Sequence, residues 1–490
     1  MRRSASRPFL HTALLAALAV PAAQAAPTAL GGLGGGACTP AGVNDSGAAA
    51  GQCRNAAGDF LPTYWAAGSV VALPLRGLQL DGVCEALGIA RDGQIAGNCE
   101  LGDAGERRPV VWRTPSLPAA APQLLNGRIG DDRATATAIN PAGAVVGVST
   151  SPGGRDFPVI WKSDRTAATA LPVPGTLPPL LSPVTRCRVM ALDPAPAPVA
   201  VGGCDLRQGG TVAVRWAPNA LGGYGVAMLP GIASGGGCIA VAVAASGHIA
   251  GTCEDAAGDM AAVRWLPTLA APALLRGLPR EAAQGQQVFA ADINAAGLVA
   301  GNYIASDGRA RSFVWAPADA PAHEDGLDLG LLGGSQAYAR QIADDGRILG
   351  MTETAQGAQI AFSWTPADDM RDLGTLGGHT NLPAAMSPNG AWIVGVSTTA
   401  SGYRRAYRIG PAEAGASRRG AGAHAANTAR ADADAAEGGY PGLQLPNPMP
   451  ACQDKDSRCG AWVANGFCAA AFYTQTQKAA HCAASCNLPC

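Results

Sequence analysis

Residues 134–147 read ATATAINPAGAVVG, and most of the chain repeats this pattern. Small and β-branched residues alternate on both sides of the NPAG tetrad at 140–143, which is typical of strand, tight turn and strand. The asparagine can hydrogen-bond its own backbone and the glycine accepts a positive φ, so we expect a β-hairpin. Trp161 follows the closing Gly147 by fourteen residues and marks a third predicted strand.

The same unit recurs eight times between Leu33 and Ile409, with a period of 45 to 55 residues. The glycines that close the second strand are Gly51, Gly97, Gly147, Gly202, Gly251, Gly301, Gly350 and Gly395. The aromatic residues that follow them are Trp65, Trp112, Trp161, Trp216, Trp265, Trp315, Trp364 and Tyr407. Such a period indicates an array of one supersecondary unit. The aromatics could form a ligand-stacking ring, but their constant register favours apolar wedges between units.

Leucines at 328–334 (DLGLLGG) and 372–378 (DLGTLGG) predict a fourth strand in the unit. Four short antiparallel strands, repeated radially, predict an all-β, eight-bladed β-propeller, with seven blades and a divergent unit as the alternative. The last unit lacks a fourth strand, and residues 28–36 (TALGGLGGG) resemble one. We expect this N-terminal segment to complete the last blade and leave no free strand edge.

The chain has 14 cysteines, and eight of them occupy one place in the repeat. The four pairs are Cys38 with Cys53, Cys84 with Cys99, Cys187 with Cys204, and Cys238 with Cys253. Each pair lies at equal offsets on the two sides of its tetrad turn, which predicts cross-strand disulfides. The wider spacing of Cys187 and Cys204 comes from an insertion in the turn itself, at 193–198.

The other four units lack both cysteines together, as expected for a bond and not for a metal ligand or a catalytic thiol. The residues at these positions are Ala134 with Ser149, Val288 with Tyr303, Ala337 with Thr352, and Asn381 with Val396. All four predicted bridges should lie around one mouth of the ring, together with the loops between second and third strands. These loops carry Asp59, Glu100, Asp103, Asp156, Asp205, Glu254, Asp255, Asp259, Asp307, Arg107, Arg108, Arg155, Arg207, Arg309, Arg311, Arg404 and Arg405. They form either a solvated loop surface or a polar binding mouth.

Residues 1–25 have the layout of a secretory signal peptide. Three arginines precede an apolar run at Leu10–Val20, and a small-residue cleavage site ends at Ala25. We expect cleavage near Ala25 and a secreted or periplasmic protein. The apolar run is shorter than the roughly 20 residues that span a bilayer, so no membrane span is predicted. The formal net charge of −1 argues against nucleic acid as a partner.

After the predicted propeller (26–410), residues 411–450 lack periodic hydrophobic residues and predict a flexible linker. Six cysteines then fall within 451–490, a module too small to fold without disulfides. They are Cys452, Cys459, Cys468, Cys482, Cys486 and Cys490. Their spacing alone leaves fifteen pairings open.

The tail resembles the ShK toxin-like domain in its CQD, CGAW, NGFC and CAASC motifs, which begin at Cys452, Cys459, Asn465 and Cys482. The resemblance implies the bridges Cys452–Cys490, Cys459–Cys482 and Cys468–Cys486. The channel-blocking members carry Lys followed by Tyr, whereas Ala479 follows Lys478 here. The resemblance therefore implies an accessory domain and not a potassium-channel toxin.

The repeats carry Ala-x-x-Ile-Asn-x-x-Gly, Val-Val-Gly and Leu-Gly-x-Leu-Gly-Gly. With these motifs, residues 33–409 resemble the HAF-type extracellular repeats of bacteria. This resemblance implies an exported location and brings no established activity with it.

These features favour a non-enzymatic binding or scaffold protein whose propeller mouth contacts a glycan, an envelope component or a protein. The alternatives are a carbohydrate-active hydrolase or lyase using mouth carboxylates, and a purely structural array. The histidines after residue 25 are scattered, so no catalytic residue, metal site or cofactor is predicted. The Asp-rich turns offer too few oxygens for calcium. We expect a monomer.

Overall fold

The computed structural model describes residues 25–78, 83–101, 106–113, 121–175, 184–234, 236–269, 271–275, 287–316 and 326–411. Within these ranges the regular structure consists of strands, and no helix that could cross a membrane is found. Nearly all of the predicted signal peptide, nearly all of the linker and the whole cysteine-rich tail lie outside the described residues.

The strands form eight antiparallel, four-stranded sheets, which confirms the eight-bladed propeller. Blades 1 and 2 contain β2 (Gly34–Val43), β3 (Ala49–Asn55), β4 (Phe60–Trp65), β5 (Ala72–Pro74), β6 (Cys84–Ile89), β7 (Ile95–Leu101), β8 (Glu106–Trp112) and β9 (Gln123–Leu124). Blades 3 and 4 contain β10 (Arg133–Ile139), β11 (Val145–Thr150), β12 (Asp156–Trp161), β13 (Thr169–Ala170), β14 (Val184–Leu192), β15 (Ala200–Leu206), β16 (Thr211–Pro218) and β17 (Tyr224–Met228).

The second half of the ring repeats the arrangement. Blades 5 and 6 contain β18 (Cys238–Val243), β19 (Ile249–Glu254), β20 (Met260–Trp265), β21 (Ala273–Leu274), β22 (Val288–Ile293), β23 (Val299–Ile304), β24 (Ala310–Trp315) and β25 (Leu327–Asp328). Blades 7 and 8 contain β26 (Gly333–Ile342), β27 (Ile348–Thr354), β28 (Gln359–Thr365), β29 (Asp369–Asp372), β30 (Gly377–Met386), β31 (Ile393–Thr399), β32 (Arg404–Ile409) and β1 (Thr28–Ala29).

The N-terminal segment completes blade 8, as the sequence predicted. Thr28 pairs with Arg408 and Ala29 with Tyr407, so β1 is the outer strand of that blade. The predicted segment 28–36 was too long, because Gly34 already begins the first strand of blade 1. The ring is therefore closed by strands from both ends of the described chain.

The leucine motifs also extend beyond the strand predicted for them. In 372–378 only the first residue belongs to the fourth strand, and the two last glycines open the first strand of the next blade. Gly374 and Gly377 have φ values of +74° and +98°, which turn the chain between the blades. Leu373 is buried beside the core of blades 7 and 8.

The hairpin register differs from the equal-offset rule that predicted the cysteine pairs. Asn44 bonds across the turn to Ala48, one residue beyond the predicted tetrad. A β-bulge between Pro40 and Gly42 shifts the register by one residue in the compensating direction, so Cys38 still lies opposite Cys53. The two irregularities cancel, and the same bulge occurs in the first strand of every blade.

Blade 8 shows where the offset rule gave a wrong pair. Asn381 lies opposite Ser397 and not opposite Val396, which pairs with Leu382. The turn of this blade runs from Ser387 to Trp392 and holds one residue more than the turn that begins at Asn44. The extra residue moves the second strand along by one position.

The bulge also explains the closing glycines. It brings a backbone carbonyl of the first strand against the α-carbon of the glycine opposite. A β-carbon on Gly147 would lie 1.9 Å from the Thr135 carbonyl oxygen, and one on Gly202 would lie 1.9 Å from that of Arg188. No other residue type fits there unless the backbone moves.

Buried tryptophans fill the spaces between blades. Trp216, for example, packs against Ala144 and Val146 of the preceding blade. Its indole N–H donates to the Pro172 carbonyl at 2.7 Å, in the segment that connects the two blades. Trp65, Trp112, Trp161 and Trp265 donate to connector carbonyls in the same way. The tryptophans therefore act as interblade wedges whose polar atom is satisfied.

Candidate functional site

The ring has two ends with different construction. The hairpin turns between first and second strands form one end, which we call the turn rim. The other end holds the starts of the first strands and the loops between second and third strands, and we call it the cysteine rim.

The turn rim is a belt of hydrogen bonds from one blade to the next. Asn140 Oδ1 accepts the backbone N–H groups of Ala142 and Ala144 within its own turn. Its Nδ2 donates to the carbonyls of Asp193 and Ala195 in blade 4, at 2.7 and 2.9 Å. Asn44 and Asn294 bridge to the next turns in the same way. The polar groups of this rim are thus largely used to hold the ring together.

The closure between blades 8 and 1 uses the same end of the ring. The Arg408 guanidinium donates to the carbonyls of Gly47, Ala66 and Ser69. It also lies over the ring of Trp392, 5.5 Å from its centroid. Asp45 accepts the backbone N–H of Asn389 at 3.0 Å.

The cysteine rim carries the four disulfides of the ring. The structure joins Cys38 to Cys53, Cys84 to Cys99, Cys187 to Cys204 and Cys238 to Cys253, with Cα–Cα distances of 4.0 to 4.1 Å. Each bridge is buried against the preceding blade, as Cys187 and Cys204 are against blade 3. The bridges therefore stiffen the blade interfaces beneath the rim and are not exposed at the mouth. The six cysteines of the tail lie outside the described residues.

Asp103 lies outside the described residues, and most of the other charged groups predicted for the mouth are engaged with neighbours. Arg107 pairs with Glu85 at 2.5 Å, Arg186 with Asp156 at 3.0 Å, and Arg188 with Asp205. In the loop of blade 6, the Arg311 guanidinium lies 3.0 Å from Asp307.

The Asp307 carboxyl shows the electrostatic result of such pairing. Its partial burial raises the pKa, but the Arg309 backbone N–H and the Arg311 guanidinium outweigh that effect, so the pKa is lowered. Asp255 instead accepts the backbone N–H groups of Ala257 and Asp259. Several mouth carboxylates thus have a structural role.

The eight bulge residues form a second tier, which we call the inner ring. First strands of neighbouring blades contact one another in most of the ring, so they surround its centre. A bulge leaves one residue unpaired and re-aims its side chain. These unpaired residues are Ala41, Leu87, Thr137, Met190, Val241, Ala291, Arg340 and Ala384. All eight are at least partly exposed, and Arg340 is the one charged member.

A cleft of about 430 Å³ extends from the inner ring toward the cysteine rim at the junction of blades 7, 8 and 1. Its walls are Ala37–Ala41 of β2, Leu382–Ala384 of β30 and Val396 of β31, and two arginines, Arg340 and Arg404, complete it. We call it the arginine cleft. Its volume falls within the roughly 300–1,000 Å³ of small-molecule sites.

The sequence predicted Arg404 at the mouth but gave no sign of Arg340 or of the cleft. Arg340 lies within a strand, where an exposed arginine is ordinary. The sequence does not reveal the bulge that directs this side chain into the cleft. His379 is exposed near the start of β30. Among the described residues no cluster of three His, Cys, Asp or Glu side chains could hold a metal ion.

Comparison with known proteins adds one family. Residues 451–488 match the model of the ShK domain-like family, which supports the resemblance of the tail. The matched segment is a small part of the chain. No curated protein matches the chain at a significant level. The HAF-type resemblance of the repeats stays a prediction.

Solved structures similar to this chain include a puromycin hydrolase mutant complexed with PGG, at 15% identity and a TM-score of 0.47. The match covers 76% of this chain and 59% of that one. TolB from Acinetobacter baumannii is 11% identical, with a TM-score of 0.33, over 68% of this chain and 80% of that one. Porphyromonas gingivalis dipeptidyl peptidase 4 is 10% identical, with a TM-score of 0.41, over 80% and 58%. Matches at these identities and TM-scores do not indicate an activity for this chain.

Proposed function

We propose that the protein is an exported, non-enzymatic binding or scaffold protein whose ligand contacts the cysteine rim and the inner ring. The observation that carries the proposal is the arginine cleft, a concave site with mainly aliphatic walls and two convergent cations. Such a cleft has the ordinary features of a ligand site. The ligand would be a glycan, an envelope component or a protein.

The engagement of the mouth carboxylates favours binding over hydrolysis. A glycosidase needs one carboxyl that holds a proton and a second that is ionised. Asp156, Asp205 and Asp307 are ion-pair partners of arginines, and the lowered pKa of Asp307 makes it a poor proton donor at neutral pH. No specific observation favours the hydrolase alternative.

The disulfides are consistent with an extracellular location, since such bonds persist in oxidising compartments. We infer a secreted or periplasmic protein cleaved near Ala25. Its ring would span residues 26–410 and its linker 411–450, and the ShK-like domain at 451–490 would supply a second contact. Cleavage there would leave the strand Thr28–Ala29 in place.

The proposal is tested by offering the full-length protein to envelope extracts and to a glycan array, followed by hydroxyl-radical footprinting of the bound state. We expect protection of the cysteine rim and no release of reducing sugar from any retained glycan. Protection confined to the turn rim, or turnover of a retained glycan, would show the proposal to be wrong.

A further inference from the structure

The arginine cleft differs in its charge balance from the ion-paired parts of the cysteine rim. Arg107, Arg186 and Arg311 each lie within 3.0 Å of a carboxylate oxygen. Arg340 and Arg404 line the same cleft, and none of the described residues that line it is acidic. Neither arginine forms an ion pair with any described side chain. Two cations are therefore directed into one cavity without the carboxylate partner that Arg107, Arg186 and Arg311 have.

Arg340 reaches the cleft because of the β-bulge in β26. Ala339 pairs with Gly350 and Gln341 with Leu349, so Arg340 between them has no partner in the ladder. The side chain crosses toward blade 8, where one guanidinium nitrogen donates to the Pro383 carbonyl at 3.3 Å. A guanidinium has five N–H donors, so this contact orients the group and leaves most of its donors for a ligand.

Arg404 enters the cleft from the third strand of blade 8. It lies opposite Thr398 in β31 and two residues before Ala406, which packs against blade 1. Alternation along a strand puts Arg404 on the face of Ala406 and the next residue, Arg405, on the opposite face. Arg404 is exposed and makes no side-chain hydrogen bond with another described residue.

The walls between the two arginines are aliphatic. Ala37, Pro40, Leu382 and Val396 line the cleft, and Thr39 is the polar uncharged side chain among the described lining residues. No aromatic side chain belongs to the described lining, so a sugar ring would find no flat face to stack on. The chemistry that fits is an anion attached to a compact aliphatic body.

We propose that the arginine cleft binds a carboxylate whose remaining body is aliphatic, as in a peptide that ends in leucine. Arginine matches the planar, two-oxygen geometry of a carboxylate through paired N–H donors. The alkyl group would lie against the alanine, proline, leucine and valine surfaces and lose contact with water. This inference rests on the proposed function and specifies the ligand class for the same rim.

The test measures binding of N-acetyl-L-leucine to the full chain by isothermal titration calorimetry. N-acetyl-L-leucinamide is the matched neutral ligand, and glucuronate and inorganic phosphate are the non-aliphatic anions. We expect saturable binding of N-acetyl-L-leucine, with the amide and both other anions weaker by at least about tenfold, since charge-assisted hydrogen bonds contribute strongly.

Substitution then locates the site. Arg404→Met and Arg340→Met should each weaken binding of N-acetyl-L-leucine by at least about tenfold. Arg405→Met removes the same charge from the same strand on the other face, and it should leave the affinity unchanged. The melting temperature of each variant establishes that the ring is intact.

Equal binding of the acid and the amide would overturn the inference, as would absence of binding by every probe. Equal or tighter binding of glucuronate or phosphate would show that the aliphatic requirement is wrong. If these results occurred while envelope or glycan ligands still protected the cysteine rim, the proposed function would stand and this ligand class would not.

Discussion

The two rims of the ring are stabilised by different means. On the turn rim, asparagine side chains such as Asn140 satisfy their own turn and also bridge to the next blade. On the cysteine rim, covalent bonds join the strand ends in blades 1, 2, 4 and 5, and the loops beyond them carry mixed charge. The first rim uses its polar groups on itself, whereas the second leaves Arg340 and Arg404 directed into a cleft.

This difference predicts separate roles for the two rims, stability for the turn rim and binding for the cysteine rim. A rim whose polar atoms are already paired has little left to recognise a ligand, because any new contact must replace an existing one. A rim held by disulfides beneath its loops can vary the loop residues without loss of the blade interfaces. Substitutions on the turn rim should therefore affect stability, and substitutions on the cysteine rim should affect binding.

The largest loss of stability should come from substitution of a residue on which both rims depend. Gly147→Ala would put a β-carbon 1.9 Å from the Thr135 carbonyl oxygen and force the bulge to move. We expect a loss of at least about 4 kcal/mol in the free energy of unfolding, or failure to fold. Gly225→Ala is the control, because no atom lies within 4 Å of its β-carbon position. Chemical denaturation measures both, and equal effects would contradict the role of the bulge.

The next effect concerns the cysteine rim. Replacing Cys38 and Cys53 together by alanine opens a loop of about 15 residues and should cost on the order of 3 kcal/mol under oxidising conditions. As the control, the variant and the unmodified chain are both unfolded in a reducing agent. Their difference in unfolding free energy should then largely disappear. If the variant and the parent unfold alike without a reducing agent, the bridge contributes nothing to this rim.

A smaller loss is expected on the turn rim. Asn140→Ala removes two interblade hydrogen bonds, one to a buried carbonyl (Asp193) and one to a partly buried carbonyl (Ala195), which should cost about 2 kcal/mol. Asn219 forms the same kind of turn with Leu221 and Gly223, but it is exposed, and its side chain makes no hydrogen bond to a described residue of another blade. Asn219→Ala should cost less than half as much, and thermal unfolding compares the two. A cost as large as that of Asn140→Ala would show that interblade bonds are unimportant.

The last expected effect is a pH dependence of the free energy of unfolding, from a group near the turn rim. Burial raises the pKa of Asp292 to about 6, and the nearby Asp344 adds to the shift, although two backbone N–H groups oppose it. Between pH 4 and 6 the folded state then holds a proton that the unfolded state releases. The free energy of unfolding should therefore fall as the pH rises through this range.

Asp292→Asn is the test of this assignment. The asparagine does not titrate, so the slope of unfolding free energy against pH between 4 and 6 should become flatter. An unchanged slope would assign the pH dependence to other groups.

The sequence predicted the ring because its signals are local and repeated. The turn tetrads, the closing glycines and the paired cysteines all recur at one register, and residues 28–36 supplied the missing strand. The bulge could not be detected from the repeat spacing, because the turn is one residue longer than predicted and cancels the register shift that the bulge causes. The equal-offset rule therefore gave the correct partner for Cys38, although the register between the bulge and the turn differs from the rule by one residue. For Asn381 the rule gave the wrong partner.

The arginine cleft could not be predicted for a different reason. Its walls come from blades 7, 8 and 1, and β2 meets β30 only after the ring has closed. Arg340 reaches it through a bulge that leaves no mark on the repeat spacing. Contacts of this kind depend on the tertiary structure and not on any local pattern.

Hydrogen–deuterium exchange of the full-length protein tests the division between the rims most directly. Amides of the turn rim, such as those of Ala48 and Ala144, should exchange only through global unfolding, because each bonds to a buried asparagine side chain. The loops of the cysteine rim around Gly58 and Gly308 should exchange far faster and respond to an added ligand. Equal protection of both rims, or faster exchange at the turn rim, would contradict this account.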